Sequence, residues 1–248
     1  MSNITIEAQD LGIRFRLDRR GRRSLKDLFG STARRSRPGE FWALRNVSFR
    51  VQQGEAIGVV GRNGQGKSTL LKLVAGVLQP DEGFVRVNGG VAPLIAITGG
   101  FEGNLTVREN VSLVAGLHGM PRSEVTRRFD SIIDFAELEK FVNTPFKHLS
   151  SGMKARLAFA VVSQLDEPTL LVDEVLAVGD KAFREKCFSR IEEMLGEGRT
   201  LFLVSHNAGN LKRFCTRGLY IDGGTLAMDD EINAVLKRYA QDYPPVKH

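Results

Sequence analysis

The opening segment ITIEAQDLGIRFRL has strand-like chemistry, and FWALRNVSFRV alternates apolar and polar positions with the period of two of a half-buried strand. EAIGVVG is a continuous apolar run, the pattern of a strand enclosed in a sheet, and it ends in glycine. From Lys67 to Ala75 the period changes, and Leu70, Leu71, Leu73 and Val74 form one apolar helical face. FVRVNGGVAPLIAI reads as two short strands around Gly89-Gly90. The chain is then mostly helical from Thr106 to Leu165, over VRENVSLVAGLHG, PRSEVTRRFDSIIDFAEL and SGMKARLAFAVVSQL. Strand TLLVDE, helix AFREKCFSRIEEML closed by Gly196, strand TLFLVSH, two more short strands and a last helix DDEINAVLKRYAQDY complete the order. Alternating strands and helices on both sides of a helical block predict one α/β domain over 1–248. Its core spans 1–95 and 166–248, and a helical subdomain spans 96–165.

The chemistry sits at the ends of the apolar runs. Gly61-Arg62-Asn63-Gly64-Gln65-Gly66-Lys67-Ser68 is a complete G-x-x-x-x-G-K-S between a buried strand and a helix, followed by Thr69. Glycines let backbone N–H groups curl around phosphate oxygens, and the helix N-terminus attracts the same anion. Lys67 is expected to bridge the β- and γ-phosphates of ATP, with the Ser68 hydroxyl on Mg²⁺. LLVDE ends a second apolar strand in two acids, Asp173 to hold Mg²⁺ and Glu174 to polarise the attacking water. Ser205-His206 ends a third, placing an imidazole within reach of the γ-phosphate.

Composition narrows the class. At 42% hydrophobic and 26% charged the chain is ordinary globular material, and no segment approaches the ~18–20 apolar residues of a membrane-spanning helix. MSNITIEAQD lacks the layout of a secretion signal. Cys187 and Cys215 match neither a disulfide scaffold nor a zinc pattern and are expected to be buried thiols. Residues 14–37 hold ten Lys/Arg against two Asp, a local +8 that leaves −2 for the rest of a chain whose net charge is +6. Basicity confined to one segment argues against a nucleic-acid partner, which calls for a broad basic face. The basic insertion, 18–40, is expected either to be solvated or to meet anionic headgroups or a membrane partner.

Leu149-Ser150-Ser151-Gly152-Met153, between the two phosphate-binding parts, resembles the LSGGQ signature of ABC ATPases, and P-loop, signature and acidic strand stand in that family's order. The segments WALRNVSFRV, GRNGQGKSTLLKLVAG, GGFEGNLTVRENV, SSGMKARLAFAV and DEVLAVGDKAFREKC are similar to the ATPase subunits of bacterial exporters of O-antigen, teichoic acid, capsule or lipid-linked galactan. The resemblance implies a P-loop NTPase: a RecA-like α/β core with an antiparallel β subdomain and an inserted helical subdomain. It also implies a homodimer hydrolysing ATP at the cytoplasmic face of the inner membrane, bound to a permease dimer that handles the glycan. Phe15 takes the place of the adenine-stacking aromatic, with Trp42 in reserve, and Asp180 that of the D-loop aspartate. Ser150, Ser151, Gly152 and Asp180 would act in trans, on nucleotide held by the other copy. Two departures stand out. Met153 replaces the signature glutamine, and no glutamine lies near Ile97, where the family carries one between core and helical subdomain. The rival readings are a soluble ABC ATPase of translation or DNA repair and a nucleotide-regulated binding module. The former usually carries two ATPase halves or coiled coils, and Asp173, Glu174 and His206 together argue against the latter. The end at His248 leads to the expectation that no C-terminal carbohydrate-binding domain follows and that glycan choice rests with the permease.

Overall fold

A computed structural model describes residues 3–16, 39–94, 99–173 and 180–244. The first half runs β1 (Ile4–Arg16), β2 (Glu40–Gln52), β3 (Ala56–Val60), α1 (Lys67–Val74), β4 (Glu82–Val87), β5 (Val91–Leu94), α2 (Val107–Leu117) and α3 (Arg122–Ala136). The second runs α4 (Ser151–Val162), β6 (Thr169–Val172), α5 (Lys181–Gly196), β7 (Thr200–Val204), α6 (Ala208–Phe214), β8 (Arg217–Asp222), β9 (Thr225–Glu231) and α7 (Ile232–Asp242). Strands β2-β1-β4 form an antiparallel sheet, and β5-β6-β7-β3-β8-β9 form a second sheet that is parallel except for β9. No described helix is long and apolar enough to cross a membrane.

The apolar runs become central strands because both of their faces are covered. Ile57 and Val59 of β3, Leu171 of β6, and Phe202 and Val204 of β7 join α1 and the antiparallel sheet in one cluster, with Ile6, Leu11, Leu44 and Leu70. The alternate residues Val60, Leu170, Val172, Leu201 and Leu203 join Phe183, Phe188, Leu211 and Ile232 of α5, α6 and α7 in another. A third cluster lies among the helices, from Val107, Val111, Phe129 and Ile132 to Leu157 and Val161. Helix α4 belongs to two clusters, giving Leu157, Ala160 and Val161 to the helical one and Phe159 and Val162 to the sheet. That is why SGMKARLAFAVV has no single apolar face.

The two short strands expected around Gly89-Gly90 are β4 and β5, and they lie in different sheets, so the segment carries the chain from one sheet to the other. Two elements depart from the sequence reading. Asp229, Asp230 and Glu231 end β9 instead of opening the last helix, which starts at Ile232. There Asp229 receives Arg217 Nε at 2.5 Å and Nη2 at 2.7 Å, and Arg217 also reaches Glu55 at 2.9 Å. Tertiary ion pairing thus overrides the low strand propensity of aspartate. Helix α6 was not foreseen. Its signals are the cap Asn207, whose side chain accepts from Gly209 and Asn210 N–H, and the apolar pair Leu211 and Phe214. Residues 18–38 of the basic insertion lie outside the described residues.

Entry into the helical block is fixed by TVREN. Thr106 and Glu109 form a reciprocal capping box on α2. Asn110, fully buried, accepts from Glu102 N–H at 2.8 Å and donates to the carbonyls of Glu102, Leu105 and Thr106, each at 3.0 Å. Asn110→Ala leaves the Glu102 N–H without its acceptor, at a cost of about 1–3 kcal/mol, while the three carbonyls keep the backbone N–H groups of Leu105, Phe146 and Asn110. A loss of ~2 kcal/mol overall corresponds to a fall of roughly 4–8 °C in melting temperature at this chain length. A melt within 1 °C of wild type would contradict the anchoring role.

Candidate active site

Because β3, β6 and β7 run parallel, their carboxyl ends share one edge of the sheet, the usual ligand edge of such folds. β3 delivers residues 61–66 there, β6 delivers Asp173, and β7 delivers Ser205 and His206. A cavity of about 280 Å³ opens at this edge. Asn63, Gly64, Gly66, Lys67, Ser68 and Thr69 line one side, Asp173, Val204 and His206 another, and Phe15, Phe41 and Ala43 the mouth.

The loop shape depends on Gly66, the N-cap of α1, which is left-handed at φ 97°. A Cβ on Gly66 would stand 2.5 Å from Ala43 O and 2.7 Å from Leu44 Cδ2. Lys67 follows with only 5% of its surface exposed, and its Nζ donates to the carbonyls of Gly61 at 2.8 Å and Arg62 at 2.9 Å. Burial pulls the lysine pKa below its ordinary value, with the charge of Asp173 opposing. Burial pushes the Asp173 carboxyl up, against the pull of Lys67, Lys72 and His206. His206, on the open side of the cavity, is lowered by partial burial and by Lys67. A buried ammonium hydrogen-bonded to neutral carbonyls at a helix N-terminus is a donor set that suits a polyanion. The Ser68 hydroxyl and Asp173 carboxylate, both lining the cavity, are the oxygen ligands that suit Mg²⁺.

The remaining expected residues lie elsewhere. Gly61 contributes its carbonyl to Lys67, while Arg62 and Gln65 turn their side chains away from the cavity: the Arg62 guanidinium lies 4.8 Å from the centre of the Tyr243 ring, and Gln65 Oε1 accepts from Gly223 N–H at 2.6 Å. Glu174 and Ile97 lie outside the described residues. Ser150, Ser151, Gly152 and Asp180 do not line the cavity of their own chain. Ser150 caps α4, accepting from Met153 N–H at 3.2 Å, and leaves Ser151 exposed in the first turn. Asp180 caps α5, accepting from Phe183 N–H at 2.9 Å, a bond that holds its carboxyl below the ordinary range, and it pairs with Arg156 of α4 at 2.7 Å.

Phe41 escaped the sequence reading. Strand pairing sets Phe15 opposite Phe41, with ring centroids 5.9 Å apart, both partly exposed. Alternation along β2 turns Trp42, the reserve candidate, away from the cavity, between the guanidinium groups of Arg14 and Arg45. The period of FWALRNVSFRV already put Phe41 and Ala43 on one side and Trp42 on the other; the register that selects the first side was not legible. Of the basic segment, Arg14 and Arg16 are described, and both pair with Glu40.

Gly66→Ala and Gly64→Ala separate two causes. Both positions are left-handed, which costs a non-glycine residue ~1–2 kcal/mol, but a Cβ at Gly64 meets nothing within 4 Å. Thermal melts of the two variants are expected to show the larger loss for Gly66→Ala. Equal losses would contradict the close approach of Ala43 and Leu44.

The family model for the ABC transporter matches residues 44–177. The chain is 43% identical over 202 residues to the O-antigen export system ATP-binding protein RfbB of Klebsiella pneumoniae, an alignment covering 82% of each. It is 38% identical over 238 residues to the teichoic acids export ATP-binding protein TagH of Bacillus cereus, covering 96% of this chain but 42% of that one. The chain thus spans less than half the length of that relative. Among solved structures, one described as an ATP-binding subunit of an ABC transporter superposes with a TM-score of 0.75 at 22% identity, covering 95% of this chain and 93% of the other. The ADP- and Pi-bound dimeric cassette MJ0796 superposes with a TM-score of 0.73 at 20% identity, covering 92% and 98%. With a family model matching over half of its length and a 43%-identical relative spanned over four-fifths, the chain belongs to the ABC transporter family.

Proposed function

We propose that the chain is the ATP-binding and hydrolysing subunit of a bacterial exporter that drives a lipid-linked polysaccharide across the inner membrane. It works as a homodimer on the cytoplasmic face, against an integral membrane permease dimer. The observation that carries this reading is the buried Lys67 ammonium, held by two carbonyls of its own loop in a cavity shared with Ser68, Asp173 and His206. The relatives named for O-antigen and teichoic acid export support the choice of cargo.

In this reading Lys67 and the amides of residues 61–69 grip the β- and γ-phosphates, and the ring of Phe15, broadened by Phe41, stacks on adenine. Ser68 and Asp173 hold Mg²⁺, which neutralises charge on the triphosphate. Glu174, next in sequence to Asp173, orients and polarises the water that attacks the γ-phosphorus, and His206 steadies the γ-phosphate. Ser150, Ser151 and Gly152 of a second copy, with its Asp180, complete the site, which fits their absence from the cavity lining of their own chain. Two equivalent sites then form across a two-fold axis. Loss of the bridging γ-phosphate opens the pair. The helical subdomain, 96–165, passes that motion to the permease through α4, which shares its sides between the helical and sheet clusters.

Glu174→Gln is expected to bind ATP and to form ATP-dependent dimers in sedimentation while releasing phosphate at a small fraction of the wild-type rate. Near-normal phosphate release would overturn the general-base assignment. Lys67→Ala is expected to lose at least tenfold in ATP affinity, ~1.4 kcal/mol, by calorimetric titration. For the cargo, a lipid-linked glycan in vesicles with the co-purified membrane subunit should raise phosphate release several-fold. Stimulation by ribosomes or duplex DNA in its place would sink the export reading in favour of a soluble ATPase.

A further inference from the structure

All three tyrosines of the chain, Tyr220, Tyr239 and Tyr243, stand in one row that ends on the phosphate-binding loop. Tyr220 in β8 is 1% exposed, and its ring meets that of Tyr239 in α7 edge-on, centroids 5.7 Å apart at 74°. Tyr239 meets Tyr243 at 5.8 Å, one turn on, at the residue that ends α7. The Tyr243 ring faces the guanidinium of Arg62, whose carbon lies 4.8 Å from the ring centre, inside cation–π range. The Tyr243 hydroxyl donates to Asp222 Oδ1 at 2.9 Å. The next residue of that turn, Gly223, donates its N–H to Gln65 Oε1 at 2.6 Å. The turn between β8 and β9, together with the end of α7, therefore grips the loop at Arg62 and Gln65, whose side chains face away from the cavity.

We infer that Tyr243 is a positioning residue for the phosphate-binding loop: it holds Arg62 outside the cavity and, with the Gln65–Gly223 bond, keeps residues 61–66 in their cradle before nucleotide arrives. The inference rests on the reading of that cavity as a triphosphate site. Two side chains fixed from outside leave less of the loop to be ordered on binding, and pre-ordering is a direct source of affinity. The row of rings roots the latch in the sheet, because Tyr220 is immobilised between β3 and β9 and each ring is seated on the one before.

The test uses the full chain and two readouts. In the nucleotide-free protein, Tyr243→Ala should speed hydrogen exchange of the amides of residues 62–66 several-fold, with α2 and α3 unchanged. In calorimetric titration and phosphate-release kinetics, the same variant should weaken ATP binding and raise KM roughly three- to tenfold, the range of a partly desolvated cation–π contact, with kcat within about twofold. Tyr243→Phe keeps the ring over Arg62 and should recover most of the loss. Arg62→Ala should reproduce it, and adding Tyr243→Ala to Arg62→Ala should do little more. Unchanged exchange in Tyr243→Ala, or an equally large effect without Arg62, overturns the latch. If Tyr243→Ala does not fold, Tyr243→Phe and Arg62→Ala decide on the same readouts: normal exchange and affinity in Arg62→Ala overturn it. If the wild type binds no ATP, the triphosphate reading falls, and the exchange comparison by itself decides whether Tyr243 holds the loop.

Discussion

Lys67 carries a charge with one-twentieth of its surface in solvent, and the architecture around it answers the cost of keeping it there. An isolated buried ammonium is disfavoured by several kcal/mol unless hydrogen bonds and an opposite charge attend it. The hydrogen bonds come from Gly61 and Arg62 carbonyls, which point inward only because the loop doubles back through a left-handed Gly66. The opposite charge comes from Asp173, the residue that follows β6. That carboxylate is near because β3 and β6, separated in the sheet by β7 alone, run in the same direction and end at the same edge. The parallel order is in turn secured by burial of both sheet faces, one under α1 and the antiparallel sheet, the other under α5, α6 and α7.

A phosphate group competes favourably for such a lysine because an anionic acceptor forms a stronger bond than a neutral carbonyl. In the proposed exporter the loop carbonyls of Gly61 and Arg62 partly satisfy Nζ and hold it at the cavity. Burial lowers the pKa of Lys67, and the charge of Asp173 opposes that shift.

The link from this edge to the helical block runs through α4 and Arg156. Its guanidinium spans Glu137 at the end of α3 and Asp180 at the start of α5, and stands 4.7 Å from the Phe183 ring. One side chain thereby ties two helices of the helical cluster to the element that follows the acidic strand. A push on the exposed N-terminus of α4 reaches both the helical cluster and the sheet without crossing a loop. This is the arrangement a transmitting helix would need in the proposed dimer.

What the chain determined by itself was local. Runs such as EAIGVVG and TLFLV state their burial in composition, and the P-loop is legible because each residue in it answers a requirement of its own backbone or side chain. Strand pairing and ion pairing between distant segments were decided only in three dimensions. Periodicity says which residues share a face, not which face meets the cavity, so Phe41 rather than Trp42 joined Phe15 only through the β1–β2 register. Helix-like DDE became strand because Arg217 draws in Asp229. FVRV and VAPL parted into two sheets because each found its neighbours elsewhere, β4 on β1 and β5 on β6. Arg62 looked like one more residue of a phosphate motif until a tyrosine from the far end of the chain folded against it. Such contacts are made by topology, which brings together residues whose spacing along the chain carries no trace of the meeting.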